Sequence, residues 1–391
     1  MTTIGIGVIG MGWMGQVHSR SYSMVSQRFP DSDLNARLVI CSDNVEERAQ
    51  KAQKMLGFEQ STTRWQDVIE HPDVQIVNIA TPNSLHVEIV KAAAEAGKHI
   101  FCEKPVGRIP KETSQIEAIA REAGVLTFVG FNYRWSPMVM HAKKLIAEGK
   151  LGDLTQFRGR FFSMYGSDPM GLLSWRFDKN ISGYGVLGDI MAHVMDMALF
   201  LTGPVKRVVS NSHTFIPERP KPIPGKGTHY SVGQPDDPKG PVTNEDYVGA
   251  LVEFENGVRG SVEVSRTIFG PKNQFGFEIN GTKGAMNWDF ERMNELQLYL
   301  PTGDGYHDGF IRLVSGDQYP YHGNFNPGEG SGLGYEDMKV IEAYHFLKSV
   351  AEGEQTQPGF REVLDVAEVH DAMVRSWDSG TWEDVTSIAI D

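Results

Sequence analysis

Ile4-Gly5-Ile6-Gly7-Val8-Ile9-Gly10-Met11-Gly12-Trp13-Met14-Gly15 carries an apolar run directly into a G-x-G-x-x-G sequence. Val17, Ser21 and Met24 follow at helical spacing, so the glycines stand where a strand turns into a helix. In that setting Gly10 makes the tight turn, Gly12 lets backbone approach a pyrophosphate, and Gly15 lets the helix pack on the strand. The N–H groups that open the helix receive the anion without help from a basic side chain. An ordinary glycine turn is the competing reading, and the strand-to-helix placement weighs against it.

Outward from this motif, short β-branched runs alternate with helical stretches. Leu38 to Cys41, Val74 to Ala80, His99 to Glu103 and Val125 to Val129 look like buried parallel strands. Between them Leu85, Ile89, Val90 and Ala93 mark a helix over 84–96, which Gly97 stops. Repeated strand-helix-strand units imply a doubly wound sheet, whose ligands bind beyond the carboxyl ends of the strands. Asp43 lies at such an end, placed to accept both hydroxyls of an adenosine ribose. Its distance from Gly15 exceeds the usual spacing of about 20 residues, with a loop insertion over 28–36 expected to absorb the excess. Asn44, Val45 and Glu46 supply no cation for a 2′-phosphate, so NAD is expected over NADP. A helix N-cap is the competing role for Asp43. Thr81-Pro82-Asn83 and Glu103-Lys104-Pro105 leave two further strand ends. Pro105 keeps Lys104 out of helical geometry, so a long ammonium can project over the crevice.

The chain has 391 residues, enough for two domains, with 40% hydrophobic and 22% charged residues. That composition excludes a disordered chain, a collagen-like fibre and a disulfide scaffold. A net charge of −13 repels phosphate backbones and anionic membranes, so nucleic acid and membranes are not expected partners. Cys41 and Cys102 lie in apolar runs without CxxC or metal spacing and read as buried filler. No apolar run reaches the 18 or so residues of a membrane span, and no signal or twin-arginine leader precedes Ile4. A cytoplasmic protein is expected.

Beyond residue 131 the pattern changes. Val248, Ala250, Val252 and Phe254 alternate, Asn256-Gly257 signals a hairpin, and Val258 to Ile268 returns. A second Asn280-Gly281 turn is expected between Phe275 to Ile279 and Ala285 to Phe290, with Leu296 to Leu300 continuing the ladder. The expected fold class is α/β: a Rossmann dinucleotide-binding domain (1–131) followed by an α+β domain (132–391) with a large, mostly antiparallel open sheet. One face of that sheet is expected to rest on helices 137–148, 185–202 and 337–352. Two long irregular stretches interrupt it. Residues 216–242 hold seven prolines, and residues 301–334 hold nine glycines. Each is open to two readings, a surface insertion or subunit contact, and a substrate wall.

Ser182-Gly183-Tyr184-Gly185-Val186-Leu187-Gly188-Asp189-Ile190-Met191-Ala192-His193 runs flexible glycines into a helix. At about 100° per residue Asp189, His193 and Asp196 share a stripe distinct from that of Leu187, Val194, Ala198 and Leu201. A carboxylate and an imidazole four residues apart can reach one small molecule. The same spacing also fits half of a metal site, although no third ligand is apparent and no metal is expected, or a solvated helix face.

Taken together, Gly10 to Gly15, Thr81-Pro82-Asn83 with His86, Ala96-Gly97-Lys98-His99, Glu103-Lys104-Pro105 and the Asp189 to His193 helix resemble the glucose-fructose oxidoreductase / inositol dehydrogenase / MocA family. Order and spacing match through most of the chain. More narrowly, Leu173-Ser174-Trp175-Arg176-Phe177, Ile216-Pro217-Glu218-Arg219-Pro220 and Gly240-Pro241-Val242 resemble bacterial levoglucosan and glycoside 3-dehydrogenases. The resemblance implies a catalytic triad of Lys104, Asp189 and His193 around a secondary hydroxyl. It implies NAD contacts from Gly10, Gly12, Trp13, Met14, Gly15, Asp43, Thr81, Pro82, Asn83, His86, Glu103 and Lys104. Asn132-Tyr133-Arg134 resembles the segment entering the sugar pocket, with Tyr133, Arg176, His322 and Tyr335 expected to hydrogen-bond the substrate and Trp175 to stack on it. A homo-oligomer, dimer or tetramer, through the second sheet is implied as well.

The expected activity is oxidation of a ring secondary hydroxyl of a sugar, glycoside or cyclitol, at C3 of a pyranoside or anhydrosugar as the first choice. His193 is the expected general base, because an imidazole titrates near working pH. Asp189 orients it or holds a neighbouring hydroxyl, and Lys104 stabilises the developing alkoxide. A buried lysine of lowered pKa could itself be the base, and sequence leaves that division open. The rivals are an inositol dehydrogenase, a redox-assisted glycosidase, a tight-cofactor enzyme coupling two sugars, and a noncatalytic nucleotide sensor.

Overall fold

The computed structural model describes residues 2–222 and 231–389. Six parallel strands, β1 (Thr2–Ile9), β2 (Leu34–Ser42), β3 (Gln60–Thr62), β4 (Ile76–Ile79), β5 (His99–Cys102) and β6 (Thr127–Val129), form one sheet in the order β3-β2-β1-β4-β5-β6. The order reverses between β1 and β4, so a crevice opens where Gly10 leaves the first and Thr81 leaves the region of the second. The short β3 escaped the pattern reading because Gln60-Ser61-Thr62 is polar and only partly buried. The expected insertion over 28–36 is smaller than it looked. The helix Trp13–Arg28 runs to its full 16 residues, a single turn Pro30–Ser32 follows, and β2 already begins at Leu34.

The second sheet has nine strands: β7 (Leu154–Ser163), β8 (Val205–His213), β11 (Tyr247–Phe254), β12 (Arg259–Ser265), β13 (Asn273–Gly281), β14 (Ala285–Asp289), β15 (Glu295–Tyr299), β16 (Ile311–Val314) and β17 (Glu383–Asp384). A separate pair, β9 (Glu218–Pro220) and β10 (Lys239–Pro241), forms a small ribbon in the proline-rich stretch. The order β16-β15-β14-β13-β7-β12-β11-β8-β17 is a meander with one interruption. β7 inserts between β12 and β13, parallel to the first and antiparallel to the second. In β11 the alternation is as read, with Val248, Ala250, Val252 and Phe254 buried.

The expected Asn280-Gly281 turn is displaced. Both residues belong to β13, and the tight connection is Thr282-Lys283, closed by Gly281 N–H to the Gly284 carbonyl. A Cβ on Gly281 would stand 2.3 Å from the Leu151 carbonyl oxygen, so this glycine serves a close approach rather than a turn.

Helices Pro137–Ala147, Ala192–Thr202 and Phe360–Ser379 pack on the second sheet. The expectation for 337–352 needs correction. Helix Tyr335–Glu352 lies against Trp13–Arg28 and the first sheet, with Tyr344 stacked on Phe29 at 4.0 Å between ring centroids. The glycine-rich 301–334 stretch follows it there: Tyr321 and Phe325 meet the edge of Phe29, and Asn324 donates to the Arg28 carbonyl. Residues 223–230 of the proline-rich stretch lie outside the described residues. Both cysteines are buried and free. Lys179–Thr202 is long and apolar enough to cross a membrane, but 83% of its apolar window is buried inside the protein, as befits a core helix.

Candidate active site

A cleft of about 1620 Å³ separates the two sheets and receives side chains from both. Its nucleotide half is built by the glycine turn. Gly10 has φ +93°, and a Cβ there would lie 2.7 Å from the Ala80 carbonyl oxygen. A Cβ on Gly15 would lie 1.9 Å from the Gly10 oxygen, so the helix can sit on the turn only as glycine. At Gly12 an added Cβ meets no atom within 4 Å and would project into open space. The helix starts at Trp13 with no side-chain cap and no acid in its first turn, leaving N–H donors for an anion. Thr81 Oγ1 and Asn132 Nδ2 line the same cleft, buried and without a hydrogen-bond partner among the described residues. Uncommitted donors, an anion cradle and a carboxylate at the end of β2 together fit NAD.

Asp43 is more engaged than expected. Met11 N–H donates to its Oδ2 at 3.0 Å and Val45 N–H to its Oδ1 at 2.9 Å, while Arg48 Nη1 lies 3.2 Å from both oxygens. The carboxylate therefore stands in the cleft, whereas the helix Glu46–Leu56 is preceded by Val45 as its N-cap and has no side-chain cap, so the N-cap role read for Asp43 is not taken. Trp13 and Met14 line the cleft and meet Tyr335: the two rings stack at 5.6 Å, and the Tyr335 hydroxyl reaches Met14 Sδ at 3.8 Å. Pro82 and Asn83 line it too, with Asn83 donating to the Ser182 carbonyl across the divide.

The other half centres on Lys104, whose peptide to Pro105 is cis. Lys104 Nζ donates to the Asp189 carbonyl at 2.7 Å and to Asp189 Oδ1 at 3.0 Å. Tyr165 donates to Asp189 Oδ2 at 3.0 Å. Burial alone would raise the Asp189 carboxyl, but the Lys104 and Arg176 charges and these hydrogen bonds hold it well below the usual range. These partners keep the aspartate ionised.

His193 is 6% exposed and ringed by Phe131, Tyr133, Phe161 and Phe275, with Tyr133 edge-on at 4.7 Å. Its ring makes no hydrogen bond among the described residues, yet it lines the cleft. Burial, reinforced by the Lys104 and Lys339 ammonium groups, holds the imidazole well below its ordinary value, against the pull of Glu103 and Asp189. It is neutral at physiological pH. The solvated-face reading of this helix is thereby set aside.

Asp196 does not join the site. It lies seven residues, or about 10 Å, along the axis from Asp189, and pairs with buried Arg134 at 2.6 Å. A π-helical turn over Leu187–Met191 also shifts the register that the 100° reading assumed.

Other expected residues divide. Tyr133, Trp175, Arg176 and Tyr335 line the cleft. The Arg176 guanidinium lies over the Trp175 ring at 4.4 Å, so that face is shared before any sugar arrives. His322 is a correction: it is fully buried, bonded to Ser315 Oγ at 2.8 Å and facing the Gly328 carbonyl at 3.2 Å, away from the cleft in the packed 301–334 stretch. Of the two long stretches, only 216–242 contributes wall, through Pro222, Ser231 and Val232.

His86 and Glu103 touch the cleft, but their polar atoms already have partners. The two His86 ring nitrogens face the Thr81, Pro105 and Val106 carbonyls at 3.1 Å, tying two strand ends together. Glu103 Oε1 accepts from Lys339 at 2.9 Å and meets His18 at 2.8 Å, while Oε2 accepts from Lys104 N–H. These two are struts more than ligands. Lys339, Tyr165 and Asn273 went unread because each reaches the site from a distant element without a local motif, whereas Arg48 was missed although it lies only five residues from Asp43, because only Asn44, Val45 and Glu46 were weighed as neighbours.

Comparison with known proteins finds relatives over the whole chain. The oxidoreductase family NAD-binding Rossmann fold matches residues 4–131, and the GFO/IDH/MocA C-terminal domain matches residues 139–287. Levoglucosan dehydrogenase from Pseudarthrobacter phenanthrenivorans is 41% identical over 390 residues, covering 100% of both chains. A solved levoglucosan dehydrogenase in complex with NADH and levoglucosan superposes with TM-score 0.92 at 39% identity, covering 99% of this chain and 100% of that one. Inositol 2-dehydrogenase from Rhizobium meliloti is 26% identical over 96% of this chain and 97% of its own.

Proposed function

The chain belongs to the GFO/IDH/MocA family of NAD-binding oxidoreductases, and from that premise we propose that it oxidises a ring secondary hydroxyl of a 1,6-anhydrosugar or related pyranoside, at C3, to the ketone. The observation that carries this reading is the meeting of three side chains in one cleft: a neutral, unbonded imidazole at His193 and the paired Lys104 and Asp189.

When bound, NAD supplies the hydride acceptor. His193 takes the hydroxyl proton, since its ring is uncharged and its nitrogens are uncommitted. Lys104 donates a hydrogen bond to the same oxygen as negative charge develops there, preorganised by its anchorage to Asp189. In this reading Lys104 is the hydrogen-bond donor to the developing alkoxide and His193 the base. Asp189 keeps the ammonium in place, and Tyr165 keeps Asp189 in place. Tyr133, Arg176 and Trp175 offer the sugar polar edges and an aromatic face. Likeness to levoglucosan dehydrogenase over the full length supports an anhydrosugar over a cyclitol.

The test is purified protein with NAD and a panel of levoglucosan, glucosides, free pyranoses and inositols, followed by absorbance of the reduced cofactor. Levoglucosan should give the highest kcat/KM, with a 3-keto product by NMR. Preference for an inositol would move the substrate to the cyclitols. Release of free sugar without net reduced cofactor would replace dehydrogenation by redox-assisted cleavage.

A further inference from the structure

Asn244-Glu245-Asp246 directly precedes β11, and all three side chains are buried. Asp246 pairs with Arg266 at 2.7 Å, and Arg266 Nη2 donates to Asn244 Oδ1 at 2.9 Å. Asn244 Nδ2 donates to the Arg176 carbonyl at 3.0 Å and to Ser182 Oγ at 2.9 Å. Glu245, between these two, has no ion-pair partner among the described residues. Its Oε1 accepts the Leu187 N–H at 2.9 Å instead, and its main-chain carbonyl accepts the Val186 N–H at 3.2 Å. Those are the first donors of the helical stretch that opens with the π turn Leu187–Met191, which has no side-chain cap of its own. A Cβ on Gly185 would lie 2.1 Å from the Glu245 carbonyl oxygen, so the two segments approach as closely as glycine permits.

We propose that Glu245 is a positioning residue for the catalytic pair: by accepting the Leu187 N–H it fixes where the π turn starts, and so the direction of Asp189 and of the Lys104 ammonium tied to it. Asp189 follows Leu187 by two residues. A slip of one residue would turn its side chain by about 100° and part its Oδ1 from Lys104 Nζ, which stands 3.0 Å away. Without the Glu245 oxygen, Leu187 N–H is a buried donor left unpaired, a cost that the turn sheds by restarting at another residue. His193 lies beyond the π turn in the regular helix, so the disturbance falls on Asp189 and Lys104 first. The inference rests on the roles proposed above for those two residues.

The test is Glu245→Met, which fills the same space without an oxygen, beside Glu245→Gln, which keeps an acceptor for Leu187. In the Met variant kcat with the best sugar of the panel should fall about tenfold or more, while NADH affinity stays within a few-fold of wild type. The Gln variant should recover most of that loss. Adding Glu245→Met to Asp189→Ala should lower kcat no further than Asp189→Ala alone, because one acts through the other. A crystal structure of Glu245→Met should show Lys104 Nζ and Asp189 Oδ1 farther apart than their present 3.0 Å. Unchanged kcat, an equal loss in the Gln variant, losses that multiply with Asp189→Ala, or an intact Lys104–Asp189 contact would each overturn the assignment. Failure of both Glu245→Met and Glu245→Ala to fold would overturn it too, making Glu245 a residue of the fold alone. The crystallographic readout needs no turnover, so failure here is separable from failure of the catalytic reading, which near-normal turnover of Lys104→Ala would reveal.

Discussion

Lys104 and Asp189 form one charged unit across the cleft, the ammonium held both by the carboxylate at 3.0 Å and by the carbonyl of the same residue at 2.7 Å. Lys104 comes from the end of a strand in the first sheet, and Asp189 from a helix packed on the second. The pair therefore registers the two halves of the protein at the point where the reacting hydroxyl would stand.

Replacing Lys104 by Ala, or His193 by Ala, should each lower kcat by about 10² or more, on the usual size of electrostatic and acid/base contributions. NADH binding, measured by fluorescence titration, should stay within a few-fold of wild type. Near-normal turnover in either variant would remove that residue from the proposed chemistry.

The pH dependence has a definite sign. Burial first, and then Lys104, lowers the His193 pKa against the opposing fields of Glu103 and Asp189, with Lys339 adding to the lowering. The base is thus deprotonated across neutral pH, and the acidic limb of kcat/KM should fall below the ordinary histidine value of about 6.5. NMR of the His193 ring protons should show the same low titration, moving upward in Lys104→Met. A wild-type limb at or above the ordinary value would contradict the neutral-base assignment.

Tyr165→Phe removes the hydrogen bond to Asp189 Oδ2 without touching Lys104 directly. At about 1 kcal/mol for such a bond, kcat/KM should drop roughly fivefold with cofactor affinity unchanged. A loss as large as that of Lys104→Ala would mean that the hydroxyl contacts the reacting atoms itself.

Lys339→Met would leave Glu103 buried without its ammonium partner, beside a His18 whose pKa burial lowers. Loss of a buried partner costs about 3–5 kcal/mol, so the melting temperature should fall measurably. Glu103→Gln in the same chain should recover part of it. Equal melting of single and double variants would show that the pair is not coupled.

Gly12→Ala and Gly15→Ala separate a ligand-facing glycine from a packing one. The first meets no protein atom, so melting should be unchanged while NADH affinity falls at least tenfold, a methyl now standing where the pyrophosphate approaches. The second collides with the Gly10 carbonyl and should destabilise the protein by about 1–3 kcal/mol as well. Thermal melts and cofactor titration distinguish the two. A destabilised Gly12→Ala would mean that this glycine is held by the fold.

What the chain determined by itself was local in origin. Strand, glycine turn and helix are adjacent in sequence, so their joint meaning survives without coordinates, and the Rossmann sheet and its strand-end residues Asp43, Thr81 and Lys104 could be read directly. The β11 alternation was legible for the same reason, a period of two being written in consecutive residues. Tertiary structure decided whatever depended on partners distant in sequence. His322 was expected in the sugar pocket, but its loop folds onto Phe29 and the histidine is fully buried there. The π turn re-aimed the Asp189 helix, Lys339 crossed from the last quarter of the chain to Glu103, and β7 entered between two hairpins. Local periodicity fixes which face of an element is apolar. Only packing fixes what each polar group on the other face will meet.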